Sequence, residues 1–140
     1  MRFDHGVHRD ETSVVQAVDL LPTLAAIAGA KPAAATPGID LSPVLRGQAI
    51  DKRPALFWAF GLPGAAKQPG GPHPEHDRAP RLAVRDGPWK LLAEADGSDV
   101  QLYDVVADPN ETSNVAASQP RIRDRLKARL LAWARQLPRP

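Results

Sequence analysis

The chain has 140 residues, 43% hydrophobic and 24% charged, with a formal net charge of +2, a balance that suits one globular domain and excludes a disordered polyelectrolyte. It contains no cysteine, which excludes disulfides, zinc–thiolate sites and a cysteine nucleophile together. No apolar run reaches bilayer-spanning length, and Met1-Arg2-Phe3-Asp4-His5 leads into polar residues where a signal peptide would be apolar, so neither a membrane partner nor a targeting signal is expected.

Taken in chain order, Val14 to Val18 is short and β-branched and reads as a buried strand or extended lead-in. Asp19 then offers a helix N-cap, Pro22 suits a first turn, and Leu20, Leu24 and Ile27 recur at helical spacing until Gly29, where a left-handed C-cap would stop the helix. This predicts a helix over 20–28. An Ala/Pro connector from Lys31 to Pro37 precedes a short helical turn begun by Ser42 and closed by Gly47. Ala55 to Phe60, aromatic-rich between Pro54 and Gly61, predicts a strand.

Residues 61–80 carry Pro63, Gly64, Pro69, Gly70, Gly71, Pro72, Pro74 and Pro80, a density that predicts a long exposed loop. Arg81 to Arg85 alternates, Asp86-Gly87 supplies hairpin-turn chemistry, and Trp89 to Leu92 continues as the partner strand. Asp96-Gly97 turns the chain again before Val100 to Tyr103. Asp104 to Asn114 is turn-rich, and a last helix begins near Pro120 with Ile122, Leu126, Leu130, Trp133 and Leu137 on one stripe. The whole predicts an α+β chain: a connector helix, then a small antiparallel sheet of about four strands packed by the C-terminal helix.

Several of these segments resemble, in order, the C-terminal region of the sulfatase family. They are Val18-Asp19-Leu20-Leu21-Pro22-Thr23-Leu24, Gly29, Gly38-Ile39-Asp40-Leu41-Ser42-Pro43-Val44-Leu45 with Gly47, and Arg53-Pro54 with Leu56-Phe57-Trp58. They continue with Leu82 to Gly87, Trp89-Lys90-Leu91-Leu92, and Leu102-Tyr103-Asp104 with Asp108-Pro109, Glu111 and Asn114. Asp77-Arg78-Ala79-Pro80 looks most like bacterial arylsulfatases and N-acetylgalactosamine-6-sulfatase-like enzymes.

The resemblance implies the C-terminal subdomain of an alkaline-phosphatase-like sulfatase fold. It divides the chain into 1–50, the end of the catalytic domain with a connector helix, and 51–140, the C-terminal subdomain. For the complete enzyme it implies a formylglycine nucleophile, calcium, hydrolysis of sulfated carbohydrates or aryl sulfates, and export to the periplasm or exterior. The formylglycine motif, Cys/Ser-x-Pro-x-Arg, is missing from this chain, and the nearest decoy, Ser42-Pro43-Val44-Leu45-Arg46, has its proline one place too early. The resemblance therefore implies no catalytic residue, metal ligand or cofactor in this chain, which would be inactive alone and would have a separate N-terminal catalytic domain as partner.

The candidate substrate-binding residues are His76, Asp77 and Arg78, because a long loop feeding a sheet edge beside a catalytic pocket is placed to meet the organic part of a sulfated substrate. A guanidinium at Arg78 or Arg81 suits sulfate and carboxylate oxygens. The His-x-x-His pairs at His5/His8 and His73/His76 fall among loop-forming residues and read as solvated. Asp19 reads as structural, Trp58, Trp89, Trp133 and Tyr103 as core, and Asn110-Glu111-Thr112 as a turn rather than a glycosylation acceptor.

Residues 121–139 hold Arg121, Arg123, Arg125, Lys127, Arg129, Arg135 and Arg139 against Asp124 alone. This supports the alternative of a stand-alone interaction or polyanion-binding module, although a solvated helix face accounts for the charge and nucleic acid is not expected as a partner.

Overall fold

In the computed structural model, which describes residues 13–31, 34–50, 53–60 and 79–138, the chain divides into two units, Met1–Arg53 and Pro54–Pro140. In the first, the segment around Gln16 is extended and passes into a 3₁₀ turn, Ala17–Asp19, that runs directly into helix α1, Leu20–Ile27. The alternative of a strand over Val14 to Val18 is not realised. The Asp19 carboxylate reaches back to the Gln16 N–H at 2.8 Å and winds the chain there. Val15 and Val18 are exposed as a result.

Helix α1 ends as its sequence requires. Gly29 takes φ +68°, its N–H donates to the Ala26 carbonyl at 3.2 Å, and the Ala30 N–H donates to Ala25 at 2.8 Å, the paired bonds that close a helix through a left-handed residue. The second helix, α2, is the single turn Ser42–Leu45 with proline in its first turn. Asp40 rather than Ser42 opens it, accepting the Ser42 N–H at 2.7 Å and the Ser42 hydroxyl at 3.1 Å. Gly47 closes it at φ +74°.

The second unit is a four-stranded antiparallel meander in sequence order: β1 Leu56–Ala59, β2 Leu82–Asp86, β3 Trp89–Ala93 and β4 Gln101–Asp104. The β2–β3 register pairs Asp86 with Trp89, leaving Gly87-Pro88 as the two-residue turn. Phe57, Val84, Leu91 and Leu102 form one row across the four strands. With Leu82 and Ala93 they make the core face, covered by helix α3, Pro120–Ala134. Leu126 and Leu130 of α3 are fully buried, each worth roughly 1.5–3 kcal/mol of burial. Trp133 stacks on Phe57 with ring centroids 5.3 Å apart.

The expectation that four aromatics fill the core holds for Trp89 and Trp133, which pack against it. It fails for Trp58. Strand alternation turns this residue, next to Phe57 on the edge strand, to the face away from α3, where it is 38% exposed. Tyr103, next to Leu102, lies on that same opposite face and is half-buried. Among the described residues, no helix is long and apolar enough to cross a membrane.

Candidate functional site

In the first unit the polar side chains converge on Asp19, which is 1% exposed. Being helical already at that position, Asp19 makes no capping bond into α1, contrary to the N-cap expected for it. Its carboxylate instead ties three segments together. One oxygen accepts the Ile39 N–H at 3.0 Å and an Arg53 Nη2–H at 3.0 Å. The other accepts the Gln16 N–H at 2.8 Å and lies 2.8 Å from Arg53 Nη1. Burial works to raise the pKa of this carboxyl, but the Arg53 guanidinium and the Ile39 and Gln16 N–H groups outweigh it and hold the group below the ordinary carboxylate value.

One helical turn on, Thr23 extends the same arrangement. Its hydroxyl accepts the Leu41 N–H at 2.9 Å and donates weakly to the Ile39 carbonyl at 3.5 Å. Residues 39–41 thus lie along the Asp19/Thr23 face of α1 as a pseudo-strand held by side chains. Gly38 permits the approach, because a Cβ there would sit 2.0 Å from the Val18 carbonyl oxygen. Asp19, Thr23, Gly38 and Arg53, which sequence reasoning met as separate family matches, are one structural clamp. The Arg53 Nε is buried without a hydrogen-bond partner among the described residues.

The clamp leaves the apolar side of α1 uncovered. Leu20, Leu21 and Leu24 are 56%, 61% and 61% exposed, and Val15, Val18 and Leu45 of the same unit are exposed with them. A helix with mostly apolar residues and its leucines in water is a surface made for a partner.

In the second unit, the predicted substrate-binding residues His76, Asp77 and Arg78 lie outside the described residues, as do both His-x-x-His pairs. The structure does fix where their loop is rooted. The Phe60 N–H donates to the Arg81 carbonyl at 2.8 Å, closing the two ends of the β1–β2 connection on each other. Phe60 is 76% exposed at this root, next but one along the chain to Trp58. Neither aromatic was singled out at the root of the loop from sequence, although their alternation along an edge strand was the signal available.

The turn after β4 accounts for the remaining family matches. Asp104 accepts the Val106 and Ala107 N–H groups, and Asp108 accepts the Thr112 hydroxyl and the Ser113 N–H. Asn114 accepts from the Leu102 and Ala116 N–H groups at 3.0 Å each, replacing a neighbouring strand at the sheet edge. Glu111, held at φ +54°, receives Lys90 Nζ on both oxygens at 2.6 and 2.7 Å. Burial, then the Glu111, Asp99 and Asp108 carboxylates, pushes the Tyr103 phenol up from its ordinary value.

These acids are consumed by the fold. Among the described residues no group of three or more His, Cys, Asp or Glu could hold a metal ion, so the described part of the chain does not fit calcium.

A connector helix followed by a four-stranded antiparallel meander under one helix is the architecture of the C-terminal subdomain of alkaline-phosphatase-like sulfatases. The chain belongs to the sulfatase C-terminal family described as N-sulphoglucosamine sulphohydrolase, C-terminal, whose model matches residues 1–136. It is 32% identical over 116 residues to arylsulfatase K of Mus musculus, covering 79% of this chain and 19% of that protein. It is likewise 32% identical over 116 residues to arylsulfatase K of Xenopus laevis, covering 78% and 20%. Among solved structures, a 2-O GAG sulfatase superposes with a TM-score of 0.60 at 28% identity, covering 84% of this chain and 25% of the other. The chain therefore spans about a fifth of the curated relatives it matches. Those relatives are animal proteins and lend no support to the bacterial kinship expected from Asp77 to Pro80.

Proposed function

We propose that this chain is the C-terminal portion of a sulfuric ester hydrolase acting on sulfated sugars or aryl sulfates, working joined to or docked on a catalytic domain that supplies the formylglycine nucleophile and calcium. Residues 1–50 form the end of that catalytic domain, and residues 51–140 are the subdomain that shapes the organic side of the substrate pocket. The observation that carries the reading is the exposed apolar side of α1, Leu20, Leu21 and Leu24. Burying these leucines against a partner would be worth several kcal/mol at roughly 25 cal/mol per Å². In the pocket, His76, Asp77 and Arg78 contact the sugar or aryl group, with Arg78 directed to sulfate or carboxylate oxygens.

The test is to express this chain with the sulfatase catalytic segment encoded in frame with it or beside it, and to measure sulfate release from 4-nitrophenyl sulfate and from sulfated disaccharides. Activity is expected from the joined pair and from neither part alone, and Leu21→Glu with Leu24→Glu is expected to abolish it by preventing assembly. If no neighbouring segment encodes Cys/Ser-x-Pro-x-Arg, or if the paired parts neither associate nor release sulfate, the reading is wrong.

A further inference from the structure

We infer that the outer face of α3 is a docking strip for a sulfated polysaccharide chain, formed by Arg121, Arg125, Arg129 and Arg135. At 3.6 residues per turn these four fall within about 120° of one another, opposite the buried Leu126 and Leu130, and span about 21 Å along the helix. Ala128 and Ala132 lie between them, both exposed, so no bulky side chain screens the guanidinium groups. Arg135, the C-cap residue, keeps helical geometry and extends the row.

The charge of this helix is segregated from that of the rest of the protein. Residues 120–138 hold six basic side chains and one acid, a net of +5, in a chain whose total is +2, so the remainder carries −3. Asp86 is the acid facing the strip, 2.6 Å from Arg129 Nη1 and 3.9 Å from Arg125 Nη2. Asp124 engages Arg123 on the flank. Arg121 and Arg135 have no ion pair or side-chain hydrogen bond among the described residues.

Helix stability does not explain the row. Like charges four residues apart, as in Arg121/Arg125 and Arg125/Arg129, cost a few tenths of a kcal/mol per pair, and Arg121 in the first turn opposes the helix dipole. A linear array of guanidinium groups matches a polymer that presents repeated planar-oxygen anions along its length. The choice of a sulfated polymer over other polyanions rests on the sulfatase reading. On that reading the strip holds chains of the sulfated substrate.

The experiment measures binding of the full chain to a fluorescent heparin oligosaccharide by anisotropy across a salt series, with desulfated heparin and duplex DNA of matched charge as comparators. Arg121→Ala with Arg135→Ala is expected to weaken heparin binding by about tenfold or more and to flatten the log–log salt slope by about 2. Arg125→Gln with Arg129→Gln is expected to do the same, and circular dichroism checks that both variants keep their helix. Unchanged affinity in both folded variants would overturn the site. Equal affinity for DNA or for desulfated heparin would overturn the ligand class. The measurement uses this chain alone, so failure to assemble with a catalytic segment leaves it unaffected, and failure here leaves the catalytic proposal standing.

Discussion

Replacing Asp19 by asparagine changes few atoms and should nevertheless release the segment that the clamp holds. The native carboxylate accepts from three donors, the Gln16 and Ile39 N–H groups and Arg53 Nη2, and lies 2.8 Å from Arg53 Nη1 as an ion pair. Asparagine offers one acceptor oxygen and turns an NH₂ group toward the remaining donors. It also leaves the Arg53 charge, only 12% exposed, without its counter-ion. Removing one partner of a buried pair costs about 3–5 kcal/mol, against about 1 kcal/mol or less for an exposed one.

The assay is amide hydrogen exchange at Ile39 and Leu41, whose N–H groups are bound to Asp19 and Thr23. A loss of 3–5 kcal/mol corresponds to protection falling roughly a hundred- to several-thousand-fold. Adding Arg53→Met to Asp19→Asn should restore part of the protection, since the stranded charge is then gone. The pH dependence follows from the lowered pKa of Asp19. A depressed carboxylate contributes its stability fully above the unfolded value, 3.8, and loses it as pH falls through the folded value. Protection at Ile39, corrected for intrinsic exchange, should therefore drop below about pH 4 in the native chain and not in Asp19→Asn. A change under about tenfold in the single variant would show that the pair behaves as a surface salt bridge, and the clamp argument would fall.

Five other outcomes are expected. Gly38→Ala must displace backbone, because the new Cβ would meet the Val18 oxygen at 2.0 Å, and should lower protection at Ile39 and Leu41 without altering the tryptophan-monitored unfolding of the sheet unit. Asn114→Ala strands the Leu102 and Ala116 N–H groups and should cost roughly 2–4 kcal/mol in urea unfolding followed by tryptophan fluorescence; Leu126→Ala should cost about 2–5 kcal/mol by the same readout. Glu111→Gly should be less destabilising than Glu111→Ala by up to about 1 kcal/mol, since both lose Lys90 but only glycine relieves the positive φ. In the joined enzyme, Arg78→Ala should raise KM for sulfated sugars with kcat little changed, the sign of lost ground-state recognition; unchanged kinetics on every sulfated sugar tested would remove Arg78 from the pocket.

The sheet unit was legible because its signals are local. Gly87 sets a turn, one residue later than the Asp86-Gly87 pair expected from sequence, alternation sets each strand's two faces, and Leu126/Leu130 set the helix stripe, so the meander follows from neighbours in sequence. The clamp was not legible, because its bonds join residues 16, 19, 39 and 53 across the chain and nothing at Asp19 distinguishes a helix cap from a carboxylate reaching backward. Trp58 was misplaced for a related reason: aromatic size argues for burial, but a residue's face is decided by its parity with Phe57, and its cover by what lies on the far side of an edge strand. The candidate substrate residues His76, Asp77 and Arg78 lie outside the described residues, so their expected place on a loop has no structural counterpart to compare.

The two kinds of legibility separate the two units physically. The sheet unit satisfies its own core, with Val84, Leu91, Leu102, Leu126 and Leu130 all at 0% exposure, and its family residues, Lys90, Asp104, Asp108, Glu111 and Asn114, bond within the unit. Among the described residues, the first unit bonds Asp19 and Thr23 internally, leaves Arg53 Nε and Nη1 without a hydrogen bond, and leaves Leu20, Leu21 and Leu24 in water. An apolar helix face exposed in this way is the surface that the proposed docking on a catalytic domain would cover.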